Sequence, residues 1–164
     1  MQSTSNSTII ERGPLRFMIS DAPSNNNINQ RVKEFHNNKV THCIRLCQET
    51  YDCKLVEREG IKFYDWAFED GKAPPNEIIK DWLNLVNQVF PPGVKNDGGT
   101  IAIHCVAGLG RAPLLVAIAL IERCSMDAFE AVKFIRDRRR GAINALQLQF
   151  LEKYCKKKDK CTIM

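Results

Sequence analysis

No apolar run in this sequence approaches the roughly 20 residues that a membrane span needs; the longest, Ala112 to Ile121, suits a buried helix. Met1 to Thr8 is rich in Ser, Thr and Asn, has no apolar core, and no basic residue precedes Arg12, which argues against a secretory signal. No Cys-x-x-Cys pair occurs among the 7 cysteines, so a zinc site has little support, and the group His42, Cys43, Cys47, Cys53 is expected to hold no metal. An odd cysteine count without a signal argues for reduced intracellular thiols rather than a secreted disulfide scaffold. There are no internal repeats, and nothing in the sequence asks for a cofactor. The 164 residues with 44% hydrophobic content suit one soluble domain with a real core.

Positive charge is unevenly spread. Residues 1–122 hold 13 Lys/Arg against 14 Asp/Glu, and residues 123–164 hold 11 against 5, so the whole net charge of +5 comes from the last quarter. A neutral body with a basic end fits a local anionic partner, a surface or a site, better than nucleic acid.

The pattern alternates strands and helices. Residues 1–12 are expected to be disordered. Strands are expected at 16–20, 40–46, 61–66 and 100–104. Ile28, Val32 and Phe35 predict a helix over 28–37. Pro74-Pro75 opens another, with a stripe of Ile78, Trp82, Leu85, Val86 and Val89, and residues 91–93 stop it. A helix from Ala112 follows, then one over 126–139 capped by Ser125 with Gly141 beyond its end. Asn144 and Gln147 form a capping pair for a last helix, buried through Leu148, Leu151 and Tyr154. The fold class is α/β, a single domain over 13–155 with a central, largely parallel sheet flanked by helices; residues 156–164 read as a basic tail.

The chemistry lies in His104-Cys-Val-Ala-Gly-Leu-Gly-Arg111. A cysteine leaves a buried strand, a loop with two glycines follows, and a helix begins. Backbone N–H groups of such a loop and of the first helical turn can cradle an anion. Gly108 and Gly110 permit the tight backbone. Arg111 can grip two anionic oxygens with its planar fork. The same positive environment favours the thiolate of Cys105, and a thiolate inside an anion cradle is built for phosphoryl transfer through phosphocysteine. The bland alternative is a buried cysteine near a helix start with Arg111 on the surface. A strand before, a helix after and two glycines within make the pattern specific. The leaving oxygen needs a proton, and Trp66-Ala-Phe-Glu-Asp70-Gly offers two carboxylates on a separate loop. Asp70 is favoured over Glu69, with Gly71 as a hinge; spacing alone does not separate this from a solvated acidic turn. His104 abuts Cys105 and could orient its surroundings, or be a satisfied histidine at a strand end.

HCVAGLGRAP, with RLCQETYD upstream, FEDG and PP between and RRRGAIN downstream, closely resembles the PRL phosphatases (phosphatases of regenerating liver). These are small prenylated members of the cysteine-dependent tyrosine and dual-specificity phosphatases. The resemblance covers about residues 14–154 and the C-terminal tetrapeptide. It implies a dual-specificity-like cysteine-phosphatase domain with phosphoprotein substrates, in which Cys105 is the nucleophile, Val106 to Arg111 the phosphate loop, Arg111 the phosphate ligand and Asp70 the general acid. It also implies that Cys47, by itself a small core residue, forms a reversible disulfide with Cys105, where a second thiol can trap an oxidised nucleophile. Ala112 stands where most cysteine phosphatases have Ser or Thr and cannot donate the hydrogen bond that assists hydrolysis, so slow turnover is expected. The family binds CNNM-type magnesium transporters and can form trimers. Against its best-known members, Ala67 replaces a proline, Glu69 replaces an aspartate and Lys72 is an extra residue, so a more flexible Asp70 loop is expected. A thiol-based arsenate or sulfur-transfer enzyme shares the loop logic, but the Asp70 loop and the C-terminus speak against it.

That C-terminus, Cys161-Thr-Ile-Met164, fits the prenylation box, with Met favouring farnesylation of Cys161. Lys156 to Lys158 and Lys160 precede it, and a polybasic stretch supplies the second signal that a single lipid needs at an anionic membrane. The expected place is the cytoplasmic face of the plasma membrane and endomembranes, with unprenylated protein in cytosol or nucleus. Arg136 and Arg138 to Arg140 form a second basic cluster that could attract phosphosubstrates, meet a membrane or cover a helix end.

Overall fold

The computed structural model describes residues 6–162. Five strands, β1 (Ser7–Arg12), β2 (Leu15–Ser20), β3 (Val40–Arg45), β4 (Lys62–Asp65) and β5 (Thr100–His104), form one sheet in the order β1-β2-β5-β3-β4. β2, β5, β3 and β4 run parallel, and β1 closes the edge antiparallel to β2. The helices are α1 (Ile28–Asn37), α2 (Lys54–Glu57), α3 (Asn76–Val89), α4 (Arg111–Cys124), α5 (Ala128–Arg138) and α6 (Ala145–Thr162). Among the described residues no helix is long and apolar enough to cross a membrane.

Each central strand presents alternate side chains to two cores. Phe17, Ile19, Ile44, Ile101 and Ile103 face α3 to α6. Met18, Cys43 and Ala102 face α1, with Val56 of α2. Every residue of β5 is buried, as a parallel strand covered on both faces requires. α4 is apolar all round, with Ala112 to Ile121 buried, so it forms the floor on which α3, α5 and α6 rest. Trp82 of α3 is fully buried, packs 5.5 Å from the Phe17 ring and donates its indole N–H to the Leu115 carbonyl at 2.6 Å, which satisfies the polar end of a large apolar side chain.

Four expectations change. Residues 7–12 are ordered, not disordered: Ile10 is fully buried, and a turn at Gly13 pairs the segment with β2. Ser125 does not cap the next helix; it ends α4 in the left-handed conformation with φ of 54°. Asp127 caps α5 instead, accepting from the Glu130 N–H at 2.8 Å, and the helix runs over Ala128–Arg138 rather than 126–139. The segment from residue 156 continues α6 to Thr162. No Pro or Gly interrupts it, and Lys158 ties it to the end of α4, donating to the Ile121 carbonyl at 3.2 Å and pairing with Glu122 at 3.4 Å. Ile163 and Met164 of the terminal box lie outside the described residues. The Asn144–Gln147 cap forms as expected, in both directions, at 2.9 and 2.8 Å.

Candidate active site

The C-terminal ends of the parallel strands open on one edge of the sheet, where ligands of α/β sheets bind. β5 delivers His104 there and Cys105 follows it. Gly110 stands at the N-cap of α4 and no side chain caps the helix, which leaves first-turn N–H groups facing the loop. The result is a cleft of about 300 Å³ lined by Asp70, Cys105, Val106, Ala107, Leu109, Gly110, Arg111, Gly141, Asn144 and Gln147. Cys105 is only 3% exposed, while Val106 and Leu109 are exposed apolar side chains at its mouth.

Arg111 is buried, not superficial. One terminal nitrogen donates to the Leu46 carbonyl at 3.0 Å and to the Phe68 carbonyl at 2.9 Å. These bonds aim the guanidinium into the cleft and fasten the Asp70 loop to it. Its Nε is buried without a hydrogen-bond partner and lies 3.8 Å from Asp70 Oδ1, too far for a hydrogen bond. A buried donor left in this state beside a cradle of N–H groups is suited to an anion. Asp70 is largely exposed at 74%. The loop after β4 is held by the Trp66 N–H to the Arg45 carbonyl at 2.9 Å, and Gly71, at φ of 80° with open space around its α-carbon, supplies the turn beside Asp70.

The loop is held from below by residues whose importance composition did not reveal. Gly108 has φ of 72°, and a β-carbon there would stand 2.6 Å from the Ser20 carbonyl oxygen and 2.5 Å from an Arg139 nitrogen. Only glycine fits. Arg139 is buried and donates Nε to the Gly108 carbonyl at 2.6 Å and a terminal nitrogen to the Ala107 carbonyl at 3.3 Å. Its other contacts reach β1 and the residue before it, Thr8 Oγ1 at 2.9 Å and the Asn6 carbonyl at 3.3 Å. Burial pulls its pKa below the usual guanidinium value, with Asp21 and Cys105 opposing. Arg136 donates to the carbonyls of Ala142 and Ile143, and Arg138 stacks over Phe134 at 3.7 Å. Much of the basic cluster is therefore bound to the protein itself.

His104 is buried against Tyr51, whose hydroxyl lies 2.7 Å from Nε2, while Nδ1 approaches the Cys105 carbonyl at 3.3 Å. Burial pushes its pKa down to about 4, helped by Arg31 and Arg45 and opposed by the bond to the Cys105 carbonyl. The neutral ring then donates from Nδ1 and accepts at Nε2 from Tyr51, whose own pKa burial raises. Cys43 continues the chain, 3.9 Å from the Tyr51 hydroxyl, and burial pushes its thiol up to about 12. Cys47 is buried and lies outside the cleft lining, Cys105 is buried within it, and both thiols are free. Burial raises the Cys47 pKa, with Arg111 lowering it and Cys105 raising it, so the two thiols share one electrostatic environment. Ala112 is buried beneath the loop. Gln147 Nε2 would stand 3.1 Å from a β-carbon on Gly110; its amide reaches the cleft as well as capping α6. Cys161 lies elsewhere, in a groove between α3 and α6.

The model of the dual specificity phosphatase catalytic domain matches residues 24–157. Protein tyrosine phosphatase type IVA 2 of Mus musculus is 51% identical over 140 residues, covering 85% of this chain and 81% of the mouse protein. The chain belongs to the type IVA, or PRL, protein tyrosine phosphatases. The PRL-1 phosphatase of Drosophila melanogaster is 44% identical over 89% of this chain and 81% of its own length. A solved Leishmania major structure, assigned to the protein tyrosine phosphatases, superposes with a TM-score of 0.80 at 40% identity and covers 91% of this chain and 98% of that one. The kinase associated phosphatase, at 17% identity and TM-score 0.76 over 96% and 97% of the two chains, shares the fold. The domain is thus a PRL-type protein tyrosine phosphatase on a mixed five-stranded sheet.

Proposed function

We propose that this PRL phosphatase cleaves phosphotyrosine and related phosphomonoesters through a phosphocysteine on Cys105. The Cys105 thiolate attacks phosphorus, the ester P–O bond breaks, and Asp70 gives its proton to the leaving oxygen. The N–H groups of residues 106–111 and the Arg111 fork take up the charge on the equatorial oxygens. Water then attacks the phosphocysteine, the P–S bond breaks, Asp70 accepts the water's proton, and phosphate leaves as the thiolate returns. The carrying observation is the partnerless, buried Arg111 Nε facing the cleft of Cys105 and Asp70. Ala112 has no hydroxyl to offer at the second step, so phosphocysteine persists and turnover is slow. Incubation with an aryl phosphate, acid quench and mass spectrometry should find a phosphate adduct on Cys105, absent in Cys105→Ser and shorter-lived in Ala112→Ser. No adduct on Cys105 defeats the mechanism; an equal lifetime in Ala112→Ser defeats the role given to Ala112.

A peroxide can oxidise the thiols of Cys105 and Cys47 to a disulfide, two electrons and two protons passing to the peroxide, which becomes water; the shared environment of the two sulfurs supports this. Cys161 accepts a farnesyl group and, with the lysines of α6, holds the enzyme on anionic cytoplasmic membrane surfaces. A second reading gives the protein its main role as a binding regulator of CNNM-type magnesium transporters, switched by phosphocysteine or oxidation. The absence of a hydroxyl at residue 112 favours it, since a long-lived phosphoenzyme is a usable switch. Phosphoprotein substrates, the transporter and a homo-trimer are its candidate partners.

A further inference from the structure

A groove of about 660 Å³ runs between α3 and α6, within the roughly 300–1,000 Å³ of small-molecule sites. It shares no residue with the catalytic cleft. Ile79 and Leu83, one turn apart on α3, form one apolar wall, and Phe150 and Tyr154, one turn apart on α6, form the other. The Tyr154 hydroxyl donates to Glu122 at 2.6 Å, so the polar end of that side chain is satisfied and its ring is left as wall. The same face of α6 continues through Lys157 and Lys158 to Cys161, which lines the end of the groove. At 1.5 Å per residue, Cys161 stands about 16 Å along the helix from Phe150, a span comparable with an extended farnesyl chain. Lys80, Lys153 and Lys157 stand at the rim.

We propose that this groove holds the isoprenoid attached to Cys161, so that the lipid alternates between a docked position against α3 and insertion into a bilayer. The inference rests on the farnesylation proposed above. That step joins Cys161 Sγ to the terminal carbon of an isoprenyl diphosphate; the carbon–oxygen bond breaks, diphosphate leaves, and the thiol proton passes to solvent. A chain rooted at the groove's end meets its apolar walls as an intramolecular ligand, at an effective concentration no free lipid would reach. A single lipid anchors only marginally, so a docked state of comparable depth competes with membrane residence. The lysine rim turns the mouth toward anionic surfaces, where release delivers the chain into the bilayer.

The test attaches an environment-sensitive fluorescent isoprenyl group to the full chain with a prenyltransferase and confirms the adduct on Cys161 by mass. Wild-type protein in lipid-free buffer should show blue-shifted probe emission independent of protein concentration. Leu83→Glu should lose the shift, as should Asn84→Trp, which fills the groove from an exposed position and spares the core. If nine molecules in ten are docked, both variants should bind neutral phosphatidylcholine vesicles about tenfold more tightly, with aryl phosphate hydrolysis unchanged. An adduct whose emission and vesicle binding are the same in all three proteins overturns the docked state and leaves farnesylation standing. A blue shift that grows with protein concentration overturns it too, because the lipid is then in a neighbour's groove. Failure to form the adduct at Cys161 overturns both readings.

Discussion

Removing Arg139 should loosen the phosphate loop and the first strand together. Its guanidinium spans the Gly108 carbonyl at 2.6 Å and Thr8 Oγ1 at 2.9 Å, with the longer contacts to Ala107 and Asn6 at 3.3 Å. Hydrogen bonds from a charged group contribute about 1.5–3 kcal/mol each. They are not additive, and Arg139→Met also relieves the cost of burying a cation. A net loss of about 3 kcal/mol follows, against a total stability of about 5–15 kcal/mol. For a chain of this size that lowers Tm by roughly 6–12 °C. Arg139→Lys keeps the charge but lacks the planar fork that reaches loop and strand at once, and should lose about half as much. Calorimetry gives the stability, and hydrogen exchange should show faster amides in Ser7–Arg12 and residues 106–110. At a temperature where Arg139→Met is fully folded, kcat/KM for an aryl phosphate should fall about tenfold or more, a barrier change of about 1.4 kcal/mol. A Tm within about 2 °C of wild type, with unaltered exchange in the strand, would refute the reasoning.

Gly108→Ala should cost about 3 kcal/mol, from the left-handed backbone and the clash with the Ser20 carbonyl, and should abolish phosphoenzyme formation; a variant that still forms the adduct at the wild-type rate contradicts the geometry. His104 has a folded pKa of about 4 against 6.5 for a free histidine. The unfolded chain therefore binds the extra proton between these values, and the contribution of His104 is complete above pH 6.5 and lost as pH falls toward 4, by about 3 kcal/mol in all. Denaturant titrations at pH 7 and 4.5 should show a smaller decline in His104→Gln than in wild type, and equal declines would count against a buried neutral ring. After a pulse of hydrogen peroxide, a thiol reductant should restore wild-type activity but not that of Cys47→Ser; equal recovery would leave Cys47 a core residue only.

Local patterns announced most of the elements in advance. The helix at Ile28–Asn37 and the strand at Thr100–His104 fall where apolar spacing puts them, because such short-range periodicity directly reports which face is buried. The start of α5 was misplaced at Ser125, because the left-handed backbone reversal that ends α4 takes up that residue and leaves the cap to Asp127. β1 was hidden for a different reason. The residues before it, Gln2 to Asn6, are polar, and the burial of Ile10 depends on pairing with β2 and on the Arg139 anchor more than 100 positions away.

The same division holds at the site. Cys105, the two glycines and Arg111 sit in one contiguous segment, so the sequence by itself determined the anion cradle, the α/β setting and the family. Its local chemistry needs only a strand before it and a helix after it. Tertiary structure alone decided which distant groups support that cradle. Arg139 is one of three consecutive arginines with no local mark to single it out, and Tyr51 reaches His104 across 53 residues of chain. Burial and hydrogen-bond direction are properties of folded neighbours rather than of spacing. Packing of α3 and α6 on α4 made the apolar groove beside Cys161, and burial of His104 beside Tyr51, Arg31 and Arg45 lowered its pKa, both only after the chain had closed on itself.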